Sequence, residues 1–204
     1  MNYYIHPTAV VETQNIGNNT YIGPFCYVSK RVILGENCNL LGHCSLGTPP
    51  QYKERPDDKG GIIKIDNNTE IREFVTINLP TQDLTYIGKN SLLMANVHVP
   101  HDAYLSDDSF LVVGAALGGF TCLGKGCYLG LNSCFHQYSK LGDYCLVGSN
   151  SFFKGESPSG IVWVGSPAIP IKVNIRAIDN YLKNNDKKKD IIDKAKEFIM
   201  NWSK

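Results

Sequence analysis

The sequence predicts an all-β solenoid, a parallel β-helix of hexapeptide repeats followed by a short C-terminal α-helical appendage. Two observations predict this fold. From Ile87 to Phe153 every sixth residue is large and apolar, and the residue two places before each of them, from Ser91 onward, is small. A period of six fits neither an α-helix nor a flat strand, but three hexapeptides, each with one short strand and one corner, close a triangular coil of 18 residues. The periodic positions are Ile87, Leu93, Val99, Leu105, Leu111, Leu117, Leu123, Leu129, Phe135, Leu141, Val147 and Phe153.

Length and composition limit both the architecture and the function classes. A chain of 204 residues has room for one domain, and we assign residues 1–170 to the β-helix and residues 171–204 to C-terminal helices. The net charge of +1 gives no electrostatic argument for binding nucleic acid. No apolar run is long enough to span a membrane, and the first residues lack a signal-peptide pattern, so we expect a cytoplasmic protein.

The cysteines predict reduced thiols inside the coil rather than a disulfide framework. Five of the seven fall in the row of small inward residues, where a thiol is a small apolar filler. These five are Cys26, Cys38, Cys44, Cys127 and Cys145.

The first repeats keep the six-residue register from Ile16 to Leu46. Glycines follow several of the apolar positions, and we expect them to mark corners, because glycine adopts a left-handed backbone without steric cost. Asparagine, which is frequent beside them, tolerates that conformation next best. The glycines are Gly17, Gly23, Gly35 and Gly47.

Two segments break the register before the long run begins. Residues 48–61 are polar and rich in Pro, Gly and charge, so they are predicted to leave the coil as a protruding loop. This loop has no evident partner on its own chain, and we expect it to pack against a neighbouring copy around a threefold axis, in a homotrimer. The six-residue register is lost again from Leu79 to Tyr86 and is then kept through the long run.

Beyond Phe153 the pattern changes from strands to helices. A closing strand is predicted from Val162, and a short helical segment from Ile175 to Leu182. A longer amphipathic helix follows, and Lys187–Lys189 are predicted to be its solvated start. Its apolar stripe is Ile191, Ala195, Phe198, Ile199 and Trp202.

One column of stacked residues carries the candidate chemistry. Residues 18 apart lie over one another on adjacent coils, about 4.8 Å apart, so His101, Gly119 and Gln137 form a column. Glycine leaves space beside His101, and backbone N–H groups could face that space; a base next to such donors is what acyl transfer needs. His98, His136 and Gln137 fit both structural and substrate-binding roles. The flanking columns are Asp102–Phe120–Tyr138 and Pro100–Gly118–His136.

Segments in the same order give the chain a family resemblance from about residue 5 to residue 180. It resembles the UDP-N-acetylglucosamine acyltransferases of lipid A synthesis and their relatives. The motif around His101 is specific, whereas the hexapeptides alone are shared by many transferase modules. The matching segments are Ile5–Val10, Ile22–Phe25, Ile71–Ile77, Leu92–Asp102, Phe135–Tyr138 and Pro167–Ile175.

The resemblance implies a left-handed β-helix and a homotrimer with active sites between subunits. His101 would be the general base, oriented by Asp102, with Gly119 as oxyanion donor. The co-substrate would be an acyl-CoA or an acyl carrier protein thioester, and neither a permanently bound cofactor nor a metal site is predicted. The predicted substrate-binding residues are His98, Phe120, His136, Gln137, Asn78, Asn174 and Arg176, and the predicted acyl pocket is formed by Ser149 and Phe153.

Departures from the family pattern concern the acceptor. Phe120 and Asn78 stand where the lipid A enzymes have histidines, and Arg176 and Asn180 stand where they hold the nucleotide with acidic and basic groups. The sequence therefore favours transfer to a nucleotide-linked amino sugar, with 3-O-acylation of UDP-N-acetylglucosamine as the alternative.

Two readings from other function classes remain open. One is a zinc-dependent lyase of the carbonic anhydrase kind, which needs three histidine ligands, although the His98-x-x-His101 spacing does not match that family's wider pair. The other is a non-catalytic trimeric scaffold.

Overall fold

The computed structural model describes residues 2–53, 60–183 and 185–202. Residues 54–59 of the predicted loop lie outside the described residues. The helices are α1 (Ile175–Tyr181) and α2 (Lys187–Trp202). The strands are β1 (Tyr4–Ile5), β2 (Val10–Val11), β3 (Tyr21–Ile22), β4 (Tyr27–Val28), β5 (Val32–Leu34), β6 (Asn39–Leu40), β7 (Ser45–Thr48), β8 (Ile62–Ile65), β9 (Glu70–Ile71), β10 (Thr76–Asn78), β11 (Leu84–Ile87), β12 (Leu92–Leu93), β13 (His98–Val99), β14 (Tyr104–Leu105), β15 (Phe110–Leu111), β16 (Cys122–Leu123), β17 (Tyr128–Leu129), β18 (Cys134–Phe135), β19 (Lys140–Leu141), β20 (Leu146–Val147), β21 (Phe152–Phe153), β22 (Glu156–Ser157), β23 (Ile161–Gly165) and β24 (Ala168–Val173).

The strands form parallel sheets that wind into about nine turns of a solenoid. Sheet A is β1-β3-β6-β9-β12-β15-β17-β20-β23-β24, and sheet C is β22-β19-β16-β14-β11-β8-β5. Sheet B is β13-β10-β7-β4-β2, and single bridges through Ala116 continue it towards β18 and β21. In the long run, partners are 18 residues apart, as in Leu93 opposite Leu111. The predicted fold class, a left-handed parallel β-helix with a short helical appendage, is confirmed.

The core follows the two periodic rows. The large apolar residues from Ile87 to Phe153 are all buried, and so are the small residues from Ser91 to Ser151. The five cysteines of the small row are free and buried, as predicted. Each coil therefore covers the apolar layer of the next, which removes that surface from water along the whole solenoid.

The corners correct one sequence prediction. Gly23 does not have a left-handed backbone; it is needed because a Cβ there would meet the Leu41 carbonyl of the next coil. The left-handed residue is Phe25, two places later, with φ of 56°. The prediction was right for Gly47, with φ of 92°. Gly17 and Gly35 follow the Gly23 pattern, with Asn19 and Asn37 as the left-handed residues.

Both breaks in the register fall at the same corner, between sheets B and C. The first lies between β7 and β8, and the second spans Leu79–Asp83, between β10 and β11. The second is shorter than predicted, because Leu84 already pairs with Ile62 of β8. His101 lies at this same corner one coil later, between β13 and β14, so both insertions come next to it.

The C-terminal elements close the last coil. Strands β23 and β24 form an antiparallel hairpin, and the buried Trp163 of β23 packs edge-on against Trp202 of α2, with ring centroids 5.1 Å apart. Helix α2 begins at Lys187, as predicted, and buries Ala195. Within the described residues, no helix is long and apolar enough to cross a membrane.

Candidate active site

His101 and Asp102 form a hydrogen-bonded pair at the corner between sheets B and C. The imidazole Nδ1 lies 2.8 Å from the Asp102 carboxylate, and His101 is only 7% exposed. Asp102 adopts a left-handed backbone with φ of 59°, and its N–H donates to the Thr85 hydroxyl at 3.0 Å. The backbone of the pair is therefore fixed independently of its side chains.

The Leu79–Asp83 break supplies the other partners of Asp102. Oδ2 accepts from the Thr81 hydroxyl at 2.7 Å and the Thr81 N–H at 3.0 Å, and Oδ1 accepts from the Gln82 N–H at 2.9 Å. Burial opposes ionisation of Asp102, but the hydrogen bonds from Thr81, His101 and Gln82 outweigh it and lower the pKa of the carboxyl group. Asp102 is thus an ionised carboxylate at neutral pH.

Gly119 lies against the imidazole of His101, one coil above. A Cβ at this position would lie 2.6 Å from Cε1 and 2.7 Å from Nε2 of His101. The imidazole itself therefore fills the space that the sequence predicted beside it. None of the backbone hydrogen bonds in the described part of the chain is donated by the Gly119 N–H.

Aromatic side chains surround the imidazole. The ring of Phe120 meets it at 85° with centroids 5.3 Å apart, and Phe120 stacks on Tyr138 at 4.8 Å. Tyr52 of the first insertion meets it at 70° and 5.5 Å. The expectation that this loop has no partner on its own chain was therefore wrong for Tyr52, because the break lies at the corner that holds His101.

Asn78 forms the floor of a pocket under the first insertion. Its side-chain amide donates to the Thr48 hydroxyl at 2.8 Å and to the Pro49 carbonyl at 3.3 Å. Asn78 is 1% exposed, and its Oδ1 has no hydrogen-bond partner in the described structure. The pocket has a volume of about 640 Å³ and is lined by Asn78 and Thr48–Lys53.

His98 lies on the outer face of sheet B, half-buried, with Nδ1 2.8 Å from the Thr76 hydroxyl. Burial, followed by repulsion from His101, lowers the pKa of His98. His136 and Gln137 lie one coil above Gly119, and His136 Nδ1 is 3.0 Å from the Gln137 carbonyl. Among the described residues, no group of three or more His, Cys, Asp or Glu is placed to hold a metal ion.

Asn174 and Arg176 lie at a different corner of the coil from His101. Asn174 is the N-cap of α1, accepting from the Ala177 N–H and donating to the Tyr144 carbonyl at 2.8 Å. Together with Arg176 and Tyr181 it borders a groove of about 580 Å³ beside strands β15, β17 and β20. A single chain therefore does not bring these predicted acceptor residues next to His101.

The predicted acyl pocket is not formed as expected. Ser149 is exposed at a corner, but Phe153 is 0% exposed and packs edge-on against Trp163 inside the coil, 4.9 Å between centroids. Its inward position in the six-residue row explains this, because the side chain completes the core. Its neighbour Phe152 faces outward, towards His136.

Sequence reasoning missed Thr81, Gln82 and Tyr52. All three belong to the breaks in the register, and an 18-residue count cannot be carried across a break. The only signal was the position of the breaks, which both follow a sheet B strand in the coils just before His101.

Comparisons with known proteins show which transferases this chain is similar to. The family model for the bacterial transferase hexapeptide (six repeats) matches residues 15–48. An acyl-[acyl-carrier-protein]–UDP-N-acetylglucosamine O-acyltransferase of Rickettsia canadensis is 37% identical over 123 residues, covering 50% of this chain and 46% of that protein. The corresponding protein of Rickettsia peacockii is 35% identical over the same length. The chain thus spans about half the length of the curated relatives it matches.

Solved structures extend the likeness over most of the chain. The UDP-N-acetylglucosamine acyltransferase from Campylobacter jejuni has a TM-score of 0.72 and 26% identity, covering 96% of this chain and 83% of that one. The Francisella novicida enzyme has a TM-score of 0.74 and 25% identity, covering 93% and 78%. The resemblance inferred from the motifs is confirmed: the chain is similar to the hexapeptide-repeat UDP-N-acetylglucosamine acyltransferases, in fold over nearly all its length and in sequence over half of it.

Proposed function

We propose that this protein transfers an acyl group from a thioester to a nucleotide-linked sugar. The observation that carries the proposal is the buried His101–Asp102 pair, with the imidazole against the backbone of Gly119. A histidine oriented by a carboxylate can act as a general base, and the Gly119 N–H, which donates none of the backbone hydrogen bonds in the described structure, is our candidate oxyanion donor.

The residues account for each proton and bond in the reaction. His101 Nε2 takes the proton of the acceptor nucleophile as that atom attacks the thioester carbonyl, and the Gly119 N–H stabilises the oxyanion of the tetrahedral intermediate. The intermediate collapses by breaking the C–S bond. The departing thiolate takes the proton from the His101 imidazolium, which leaves an acylated sugar, a free thiol and the original base.

The relatives favour a hydroxyl acceptor and a carrier-protein donor, because they are named as O-acyltransferases that use acyl carrier protein and UDP-N-acetylglucosamine. The pocket under the first insertion supports a polar acceptor. Polar residues Thr48, Gln51 and Asn78 line it, and Tyr52 both lines this pocket and contacts the His101 ring.

A nucleotide-linked amino sugar is the second candidate acceptor. Phe120 places an apolar ring beside the base, which suits a deoxy carbon better than a hydroxyl group. An amine is also a stronger nucleophile than a hydroxyl once it is neutral.

A thiol-release assay tests the function. Acyl carrier protein and CoA thioesters of several chain lengths are each offered with UDP-N-acetylglucosamine or with a nucleotide-linked amino sugar. Thiol release that depends on an acceptor supports the proposal, and the ratio of kcat/KM between the acceptors assigns O- or N-transfer. Absence of acceptor-dependent release with every pair would refute acyl transfer and favour the scaffold reading.

A further inference from the structure

The hydrogen bonds of Asp102 also determine which nitrogen of His101 carries a proton. Its Oδ2 holds His101 Nδ1 and also receives both the hydroxyl and the N–H of Thr81. The second oxygen receives the Gln82 N–H. An ionised carboxylate only accepts hydrogen bonds, so the His101 nitrogen that faces it must carry a proton. In the neutral imidazole the lone pair then lies on Nε2, beside Gly119.

Thr81 contributes to this arrangement through its side chain as well as its backbone. It is buried, and its hydroxyl and N–H together supply two donors to the oxygen that binds His101. Gln82 contributes through its backbone N–H to the other oxygen, and Thr85 binds only the Asp102 N–H. Removing the Thr81 hydroxyl therefore takes away a side-chain donor to Oδ2 and weakens the hold on the carboxylate, while the backbone N–H groups of Thr81 and Gln82 still donate to it.

We propose that Thr81 is a positioning residue for the base: it fixes the Asp102 carboxylate so that His101 keeps its proton on Nδ1 and presents the Nε2 lone pair to the acceptor. The kinetic part of this inference rests on the proposed function. The tautomer of His101 does not, because it can be measured without any substrate.

Two measurements on Thr81→Val, which is isosteric and lacks the hydroxyl, test the proposal. Long-range ¹H–¹⁵N correlation on ¹⁵N-histidine-labelled protein reports the tautomer of each of the five histidines, and His101→Gln assigns the signal. We expect the wild type to show the Nδ1–H form and Thr81→Val to show a mixture. We also expect kcat to fall about 10- to 100-fold with little change in acceptor KM, as when a partner that orients a catalytic group is lost.

Two control variants distinguish a positioning role of the Thr81 hydroxyl from a general effect on packing. Thr81→Ser keeps the hydroxyl and should restore both the tautomer and kcat. Thr69→Val removes another buried threonine hydroxyl, which donates to the Gly88 carbonyl, and should change neither. If Thr81→Val does not fold, Thr81→Ala replaces it.

The outcomes distinguish this inference from the proposed function. An unchanged Nδ1–H tautomer in Thr81→Val would overturn the positioning role, whatever the activity. A changed tautomer in a protein that transfers no acyl group would support the positioning role and refute the proposed function. A fall in kcat that Thr81→Ser does not rescue would also count against the role of the hydroxyl.

Discussion

Four residues contact the imidazole of His101 from different sides. Asp102 binds its Nδ1, Gly119 lies against Nε2, and Tyr52 and Phe120 meet the ring at steep angles. We expect His101→Ala to lower kcat by about 100- to 10,000-fold, the contribution of general base catalysis. The matched control is His43→Ala, because His43 is an exposed histidine that stacks between Phe25 and Phe74 at a different corner. Near wild-type turnover in His101→Ala would refute the base assignment.

Substitution of Gly119 tests whether its backbone must lie against the His101 imidazole. Alanine there would place Cβ 2.6 Å from the imidazole, so the ring must move while the coil can stay intact. A displacement of about 1 Å costs about 100-fold in rate, and we expect a loss of that size in kcat with an unchanged circular dichroism spectrum. Gly42→Ala, whose Cβ would lie 3.3 Å from the Pro24 carbonyl, is the control. Full activity in Gly119→Ala would contradict the contact.

The lowered pKa of His98 makes the fold sensitive to acid. Below the ordinary histidine pKa of 6.5 the unfolded chain binds a proton more readily than the folded chain, so stability falls as pH drops from 6.5 towards the lower folded pKa. Above 6.5 this contribution is constant. Thermal unfolding between pH 7 and pH 5 should therefore show a smaller drop in Tm for His98→Gln than for the wild type. Asp102 adds acid sensitivity only below its ordinary pKa of 3.8. Equal drops in Tm would show that His98 does not contribute.

At the scale of elements, α2 is attached to the solenoid through one apolar face. Ala195 is fully buried, and Phe198 and Trp202 pack on Trp163. Ala195→Asp should detach the helix, because an unpaired buried charge costs several kcal/mol, of order 4 or more in severe cases. The measurements are tryptophan fluorescence and Tm, with the exposed Lys196→Asp as control. An unchanged spectrum and Tm would contradict the packing of α2.

The two insertions both contribute residues to the surroundings of the His101–Asp102 pair. Each leaves the coil at the corner between sheets B and C, and in successive coils they bring Tyr52 and Thr81 to the His101–Asp102 pair. The regular repeats supply the base and the glycine, whereas the irregular segments supply the groups that hold them. Loops on a rigid scaffold commonly carry such roles.

At the scale of the whole molecule, the predicted site residues lie in two separate places on a single chain. His101 lies at the corner between sheets B and C, and the groove of Asn174 and Arg176 lies beside sheet A. A threefold assembly would bring one copy's His101 towards another copy's groove, which is our proposal for the complete site. Light scattering should then give three times the chain mass of 22.6 kDa at micromolar concentration. A monomer would refute the assembly.

Complementation tests the shared site directly. His101→Ala and Arg176→Ala, each with reduced activity, are unfolded together and refolded as a mixture. Mixed trimers contain some sites with both wild-type residues, so activity should exceed the sum of the separately refolded variants. Equal activity would place both residues in a site made by one copy.

The sequence by itself determined the solenoid, its register and the stacked column of His101 and Gly119. The reason is that a strict six-residue period leaves one way to bury both rows, and counting by 18 then assigns neighbours without tertiary information. The six-residue pattern also correctly predicted the five buried cysteines, and the different pattern beyond Phe153 correctly predicted the closing strand and helix α2.

Only the tertiary structure decided what happens where the period breaks. The partners of Asp102, the contact of Tyr52 with His101 and the unpartnered Asn78 Oδ1 all depend on segments whose path no repeat specifies. Phe153 is the opposite case, because the repeat does specify its position. Its place in the six-residue row puts its side chain in the core, away from any outer groove. Periodic burial is a local property that sequence spacing encodes, whereas a loop conformation results from competition among many polar contacts of similar energy.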